Sequence, residues 1–293
     1  MDDPAAALNI LFTILSDGSF ALIVGVLLAK CWLSHDPAAA RVRPRRLAAG
    51  PLAVLVLSHL VRPWFLAASM GGSTRFREAM DLIPTVLSST RQGRIWYAGC
   101  GALTCLVAAY FLRELRCTWI STGALCVLAA IKAACGHASE AGDFSLPEIA
   151  QFLHIAAMSI WAGSIIVSGF FVVPFLKRLG GYGALWSYGG RLSQSVTYAL
   201  IVLVGSGLYI SWSDRHGAIG SIVTTTWGKT LLIKVTLAGL TAVLGSLVRF
   251  RCVKRPATAE RSVMMMKLMR AEAVAMVVIL CVSGLLANSN PAE

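Results

Sequence analysis

The chain reads as an all-α protein, a polytopic transmembrane helical bundle of eight helices. Three observations predict this. Of 293 residues, 57% are hydrophobic and only 14% are charged, whereas a soluble domain is charged at roughly a quarter of its positions. The mean hydropathy is +0.71. The apolar residues also gather into long runs, each near the ~20 residues that carry a helix across a bilayer. No sizeable soluble domain fits between them, so residues 1–293 form one integral membrane domain.

In chain order the runs fall at about 5–33, 47–69, 94–113, 117–136, 148–176, 190–212, 227–250 and 266–287. The first is expected to be a retained helix, because Met1-Asp2-Asp3 lacks the basic start of a cleavable signal. Between the second and third runs, Phe76, Met80, Ile83 and Leu87 recur at near-helical spacing. They fit a short helix lying on the outer surface, a lid, or plain packing. Orientation follows from the loops. Those after helices 1, 3, 5 and 7 hold 16 Lys and Arg, among them Arg45, Arg116, Arg178, Arg249 and Lys267, and the other loops hold six. The positive-inside rule puts the basic side in the cytoplasm and both termini outside, which in a bacterial inner membrane is the periplasm. The net charge of +12 is explained by this topology and by anionic lipid, and not by nucleic acid.

Five residues suggest an internal repeat. Thr90-Arg91-Gln92-Gly93-Arg94 enters helix 3 and Thr225-Thr226-Trp227-Gly228-Lys229 enters helix 7, both reading T-x-x-G-basic. The eight helices then divide into two four-helix halves of one orientation, related by an axis along the membrane normal.

Several chemistries are excluded. There is no Walker motif, no pump-type phosphorylation aspartate and no H-E-x-x-H, and the chain is not read as an enzyme. The eight cysteines are scattered without a C-x-x-C, as expected of small packing residues.

What remains is a set of polar residues inside apolar runs. His154 lies about 9 Å into helix 5, and His137 sits at the outer end of helix 4. A short loop joins these helices, so the two imidazoles can meet near the outer face. Met158 follows His154 by four residues and stacks on the same helix face. Cys135 is a further source of sulfur. Imidazole with thioether suits copper, Cu(I) ahead of Cu(II), better than calcium or magnesium. The plainer reading has His154 bonded to a neighbouring helix and Met158 in the core. The acids Glu140, Asp143 and Glu148 near this mouth are expected to gather cations. Deeper lie His59, Arg62, Lys234 and Asp17, expected to form a polar network facing the bundle interior, with His59 a further candidate ligand. Lys132 is read as snorkelling, Met264, Met265, Met266 and Met269 as lipid-facing packing, and Glu272 as a local partner of Arg270 or Lys267. A haem protein is the alternative, with His59 and His154 as axial ligands.

The chain resembles the copper resistance protein D (CopD) family. The carrying residues are Gly136-His137-Ala138; His154 through Trp161 and Gly163; Leu192-Ser193; Ser206-Gly207; Thr225-x-x-Gly228-x-x-Leu231-Leu232-x-Lys234; Arg270-x-Glu272; and Asn290-Pro291. Together they span residues 133–291. The resemblance implies a bacterial inner-membrane protein of copper homeostasis that moves copper, often with a periplasmic copper-binding partner of CopC type.

Overall fold

A computed structural model of the chain describes residues 4–34, 44–72, 75–112, 116–136, 142–180, 182–213, 225–255 and 257–288. His137, Glu140 and Asn290-Pro291 lie outside them. The described residues are helical and contain no strand. The helices are α1 (Pro4–Leu33), α2 (Ala49–Gly71), α3 (Phe76–Ser89), α4 (Arg91–Phe111), α5 (Arg116–Ala134), α6 (Leu146–Val167), α7 (Val173–Arg178), α8 (Tyr182–Ser213), α9 (Thr226–Val248) and α10 (Ala259–Ala287). A π-helical turn, Ser168–Val172, joins α6 to α7, so these two form one rod. The wide turn precedes Pro174, which has no N–H to give to the carbonyl four residues back.

Every apolar run of the sequence is a helix. Seven helices are long and apolar enough to cross a membrane, and α5 is a shorter apolar helix. The expected bounds fall short at two helices: α8 begins at Tyr182 and α10 at Ala259. α10 continues outward through a polar first turn, residues 259–262, and α8 through a Gly- and aromatic-rich start, residues 182–189, whose glycines dilute the apolar signal. The periodic stretch between α2 and α4 is indeed a helix, α3, with Ala79 and Val86 buried against Ala67 and Ala68 of α2.

The T-x-x-G entries have a physical explanation. Thr90 Oγ1 accepts the Gly93 N–H at 3.0 Å and Thr225 Oγ1 accepts that of Gly228 at 3.1 Å. Each threonine is an N-cap in extended backbone (ψ 154° in both) satisfying one of the orphan donors of a new helix.

At the centre, α1 crosses α6 with nothing between the backbones. A Cβ on Gly163 would lie 1.8 Å from the Ala21 carbonyl oxygen, and one on Gly25 would lie 2.1 Å from that of Gly163. Neither position accepts even alanine. Around this crossing α8 and α10 pack on α6, and α2 and α10 on α1. Asn9 near the start of α1 donates to Asn288 at the end of α10 at 2.9 Å, so both ends of the described chain meet at one end of the bundle, called here the terminal end. At the opposite, basic end, Arg191 Nη1 donates to the Trp32 carbonyl at 2.7 Å, satisfying an acceptor of the last turn of α1.

Candidate functional site

α6 starts from a firm anchor. Ser145 Oγ accepts the Glu148 N–H at 3.4 Å, and the Glu148 carboxylate accepts the Phe144 N–H at 2.6 Å, a reciprocal cap related to the capping box. From this start His154 and then Met158 follow along α6, and both line a cavity of about 480 Å³ at the terminal end. Cys135 and Gly136 line it from the end of α5, Asp17 from α1, Arg62 from α2, Lys132 from α5 and Lys234 from α9. Asn9 and Asn288 stand at its rim.

The cavity therefore collects three of the candidate ligands, His154, Met158 and Cys135, and all three members of the expected network, Asp17, Arg62 and Lys234. His137 follows the lining Gly136 directly and lies outside the described residues. His59 does not line the cavity. Pro63 is the cause: without an N–H it leaves the His59 carbonyl unbonded within α2, and Trp96 Nε1 of α4 takes that oxygen at 2.9 Å. In return His59 Nε2 lies 3.1 Å from the Trp96 carbonyl, which can only accept, so this nitrogen carries the proton. The two rings stack 5.6 Å apart at 2°. Gly99 makes the room; a Cβ there would lie 2.3 Å from the imidazole. His59 is thus held in a clasp between α2 and α4, in a pocket that Arg62 shares and His154 does not.

The tautomer of His154 follows from its partner. Ser206 of α8 donates its single proton to the Val202 carbonyl at 2.7 Å. Toward His154 Nδ1, at 3.3 Å, its oxygen must then accept. Nδ1 carries the ring proton and Nε2 keeps its lone pair. Tying one imidazole N–H to a neighbouring acceptor is how metal-binding histidines are oriented. Gly207 beside Ser206 keeps the ring's flank clear, since a Cβ there would come within 3.3 Å of Cε1. Residue type alone does not single out Ser206; its only sequence signal is Ser206-Gly207 within the family resemblance.

Electrostatics correct two expectations. Lys132 does not snorkel: its ammonium pairs with Asp17 and lies 3.3 Å from Ser16 Oγ. Asp143 and Glu148 are not free to gather cations, because Arg91 pairs with Asp143 and stands 4.0 Å from Glu148, while Glu140 lies outside the described residues. With Asp17 spent on Lys132, Arg62 and Lys234 leave the cavity lining with an excess of positive charge. Among the described residues no three His, Cys, Asp or Glu side chains converge as a closed metal site. The donors here are one imidazole nitrogen, one thioether and one thiol, a set for a soft ion of low coordination number.

The basic half of the bundle also departs from expectation. Glu272 is 1% exposed while Arg270 and Lys267 are exposed, so the local ion pair does not form. Met265 and Met269 face the core, not lipid, and are fully buried.

Two family models match the chain. Copper resistance protein D-like, N-terminal domain, matches residues 1–145, and Copper resistance protein D matches residues 186–286. The first extends the likeness well beyond residues 133–291. The stretch between the two matches holds α6, with His154 and Met158. No curated protein and no solved structure matches the chain.

Proposed function

The chain belongs to the copper resistance protein D family, and from that premise we propose that it takes copper at the periplasmic face and passes it through the helical bundle. Membership makes it a multi-pass membrane protein of copper resistance. The finer reading is that the terminal end faces the periplasm of an inner-membrane protein, and that the cavity there is the entrance. The observation that carries it is that His154 and Met158, four residues apart on α6, line one cavity together with Cys135.

Copper is cargo in this reading, and it is Cu(I). A soft ion is held by its bonds to nitrogen and sulfur, so it tolerates the surplus cations Arg62 and Lys234 where a hard ion would be repelled. Their charge keeps the site weak, which suits a site that must release what it binds. His137 is the partner proposed for His154, and a periplasmic donor of CopC type supplies the ion at the rim. No covalent step is required, in keeping with a transporter and not an enzyme.

His154→Ala is expected to lower copper binding by the purified protein while leaving membrane insertion intact. His137→Ala should act alike, and the double variant should be little worse than either, as for one shared site. Copper binding by both single variants equal to the parent's would refute the reading. A Soret band in the purified protein would support the haem alternative in its place.

A further inference from the structure

A second cavity, of about 600 Å³, lies in the other half of the bundle, walled by α6, α8, α9 and α10. Its walls are mostly apolar, with Val196, Leu200 and Val204 on α8. One acid stands in it. Glu272 is buried to 1% exposure, and its Oε1 has no hydrogen-bond partner. The indole N–H of Trp161, also 1% exposed and lining the same cavity, has none either. The indole N–H is directed at the Glu272 carboxyl but falls short of hydrogen-bond geometry. An unpartnered carboxyl in an apolar membrane interior is expensive, and such residues mark ion pathways. Of the two basic side chains among the described lining residues, Arg249 donates to Thr197 Oγ1 and Lys254 stands 4.8 Å over the Phe250 ring.

The acid does not stand alone. Met265, Met269 and Glu272 follow one another at intervals of four and three residues, which stacks them on one stripe of α10. All three line the cavity. The facing helices are hollowed opposite them. A Cβ on Gly245 of α9 would lie 2.8 Å from Glu272 Oε1, and one on Gly189 of α8 would lie 2.7 Å from the Met265 methyl. Two thioethers supply soft donors, and the carboxylate supplies the one negative charge that neutralises a monovalent cation.

We propose that Met265, Met269 and Glu272 form a second cuprous-ion site, through which the cargo passes after the His154 cavity. This rests on the reading that copper is the cargo. The two cavities come close along α6: Met158 lines the first and Trp161, three residues on, lines the second, a rise of about 4.5 Å. A site with a carboxylate and thioethers is a weaker ligand set for Cu(I) than one with imidazole, so the ion is handed toward weaker binding as it nears the basic end.

The test is anaerobic Cu(I) titration of the purified full-length protein against a competing chelator, with Ag(I) as a second probe. The parent should take up two ions. Glu272→Gln and Met269→Leu should each lose one and keep the other, His154→Ala should lose the complementary one, and the combination His154→Ala with Glu272→Gln should bind none. Met269→Leu keeps the buried volume, and Gly245→Ala, which crowds the carboxylate without altering its charge, should weaken the same ion. If Glu272→Gln, Met269→Leu and Gly245→Ala all bind both ions like the parent, or if the parent binds only one ion and His154→Ala removes it, the second site does not exist and the stripe is packing. If His154→Ala binds both ions while Glu272→Gln loses one, the second site stands and the proposed entrance fails.

Discussion

The two cavities of this bundle treat their acidic side chains differently. In the terminal-end cavity the one acid among the described lining residues, Asp17, pairs with Lys132, and Arg62 and Lys234 add further positive charge around the His154 imidazole. Across one helical turn of α6, Glu272 keeps an unpaired carboxyl oxygen beside two thioethers. The first cavity is polar, and its charges are mostly accounted for by partners or by access to its interior. The second is mostly apolar, and Glu272 Oε1 closes no hydrogen bond there. A protein that needed only to fold would have paired Glu272 or replaced it with leucine. The contrast teaches that stability explains most of the polar residues of the first cavity and none of the acid in the second.

That contrast can be broken by substitution, and the largest effect lies in the wall the cavities share. Gly163→Ala puts a methyl 1.8 Å from the Ala21 carbonyl oxygen, backbone against backbone. It should destabilise the protein by about 3 kcal/mol or more, read as a lowered thermal midpoint in detergent, and damage both cavities at once.

Next comes a change of opposite sign. Glu272→Leu removes a buried polar atom without a partner and should stabilise the protein by about 2 kcal/mol. A fall in thermal midpoint would mean that Glu272 is paired in the membrane, and the contrast would collapse. Ser206→Ala frees His154 Nδ1 from its acceptor. Copper affinity should drop by about tenfold with little change in stability, as for an outer residue that orients a ligand; an unchanged affinity would show that the ring does not depend on Ser206. The smallest effect is Asp17→Asn. The Asp17 and Lys132 side chains are 34% and 20% exposed, so screening in the cavity limits the loss to about 1 kcal/mol, measured by the same melting experiment.

How far these regions are legible in the sequence differs for physical reasons. The eight apolar helices, seven of them long enough to span, are readable because the bilayer imposes a length and a polarity on each. The threonine entries are readable as a repeat, although their basis, an N-cap hydroxyl, needs backbone geometry. His154 and Met158 can be placed on one face because both sit on α6, and helical spacing suffices. Depth along a helix is countable in sequence; azimuth is not, when a helix is apolar on all sides. That is why a snorkelling reading of Lys132 fails, since it turns to Asp17, and why a lipid-facing reading of Met265 and Met269 fails, since they turn to the core. The local pairing expected of Glu272 fails on the same account: Arg270 and Lys267 are near in sequence but lie on the exposed side of α10. His59 is separated from His154 by a longer chain of cause. Pro63 frees a carbonyl, Trp96 takes it, and the imidazole follows.

The most direct test of the central claim is X-ray absorption at the copper edge of the protein loaded with one equivalent of Cu(I). The account predicts a site of low coordination number with imidazole nitrogen and at least one sulfur neighbour, and the loss of that signature in His154→Ala. A spectrum unchanged by His154→Ala, or one with no sulfur neighbour, would contradict it.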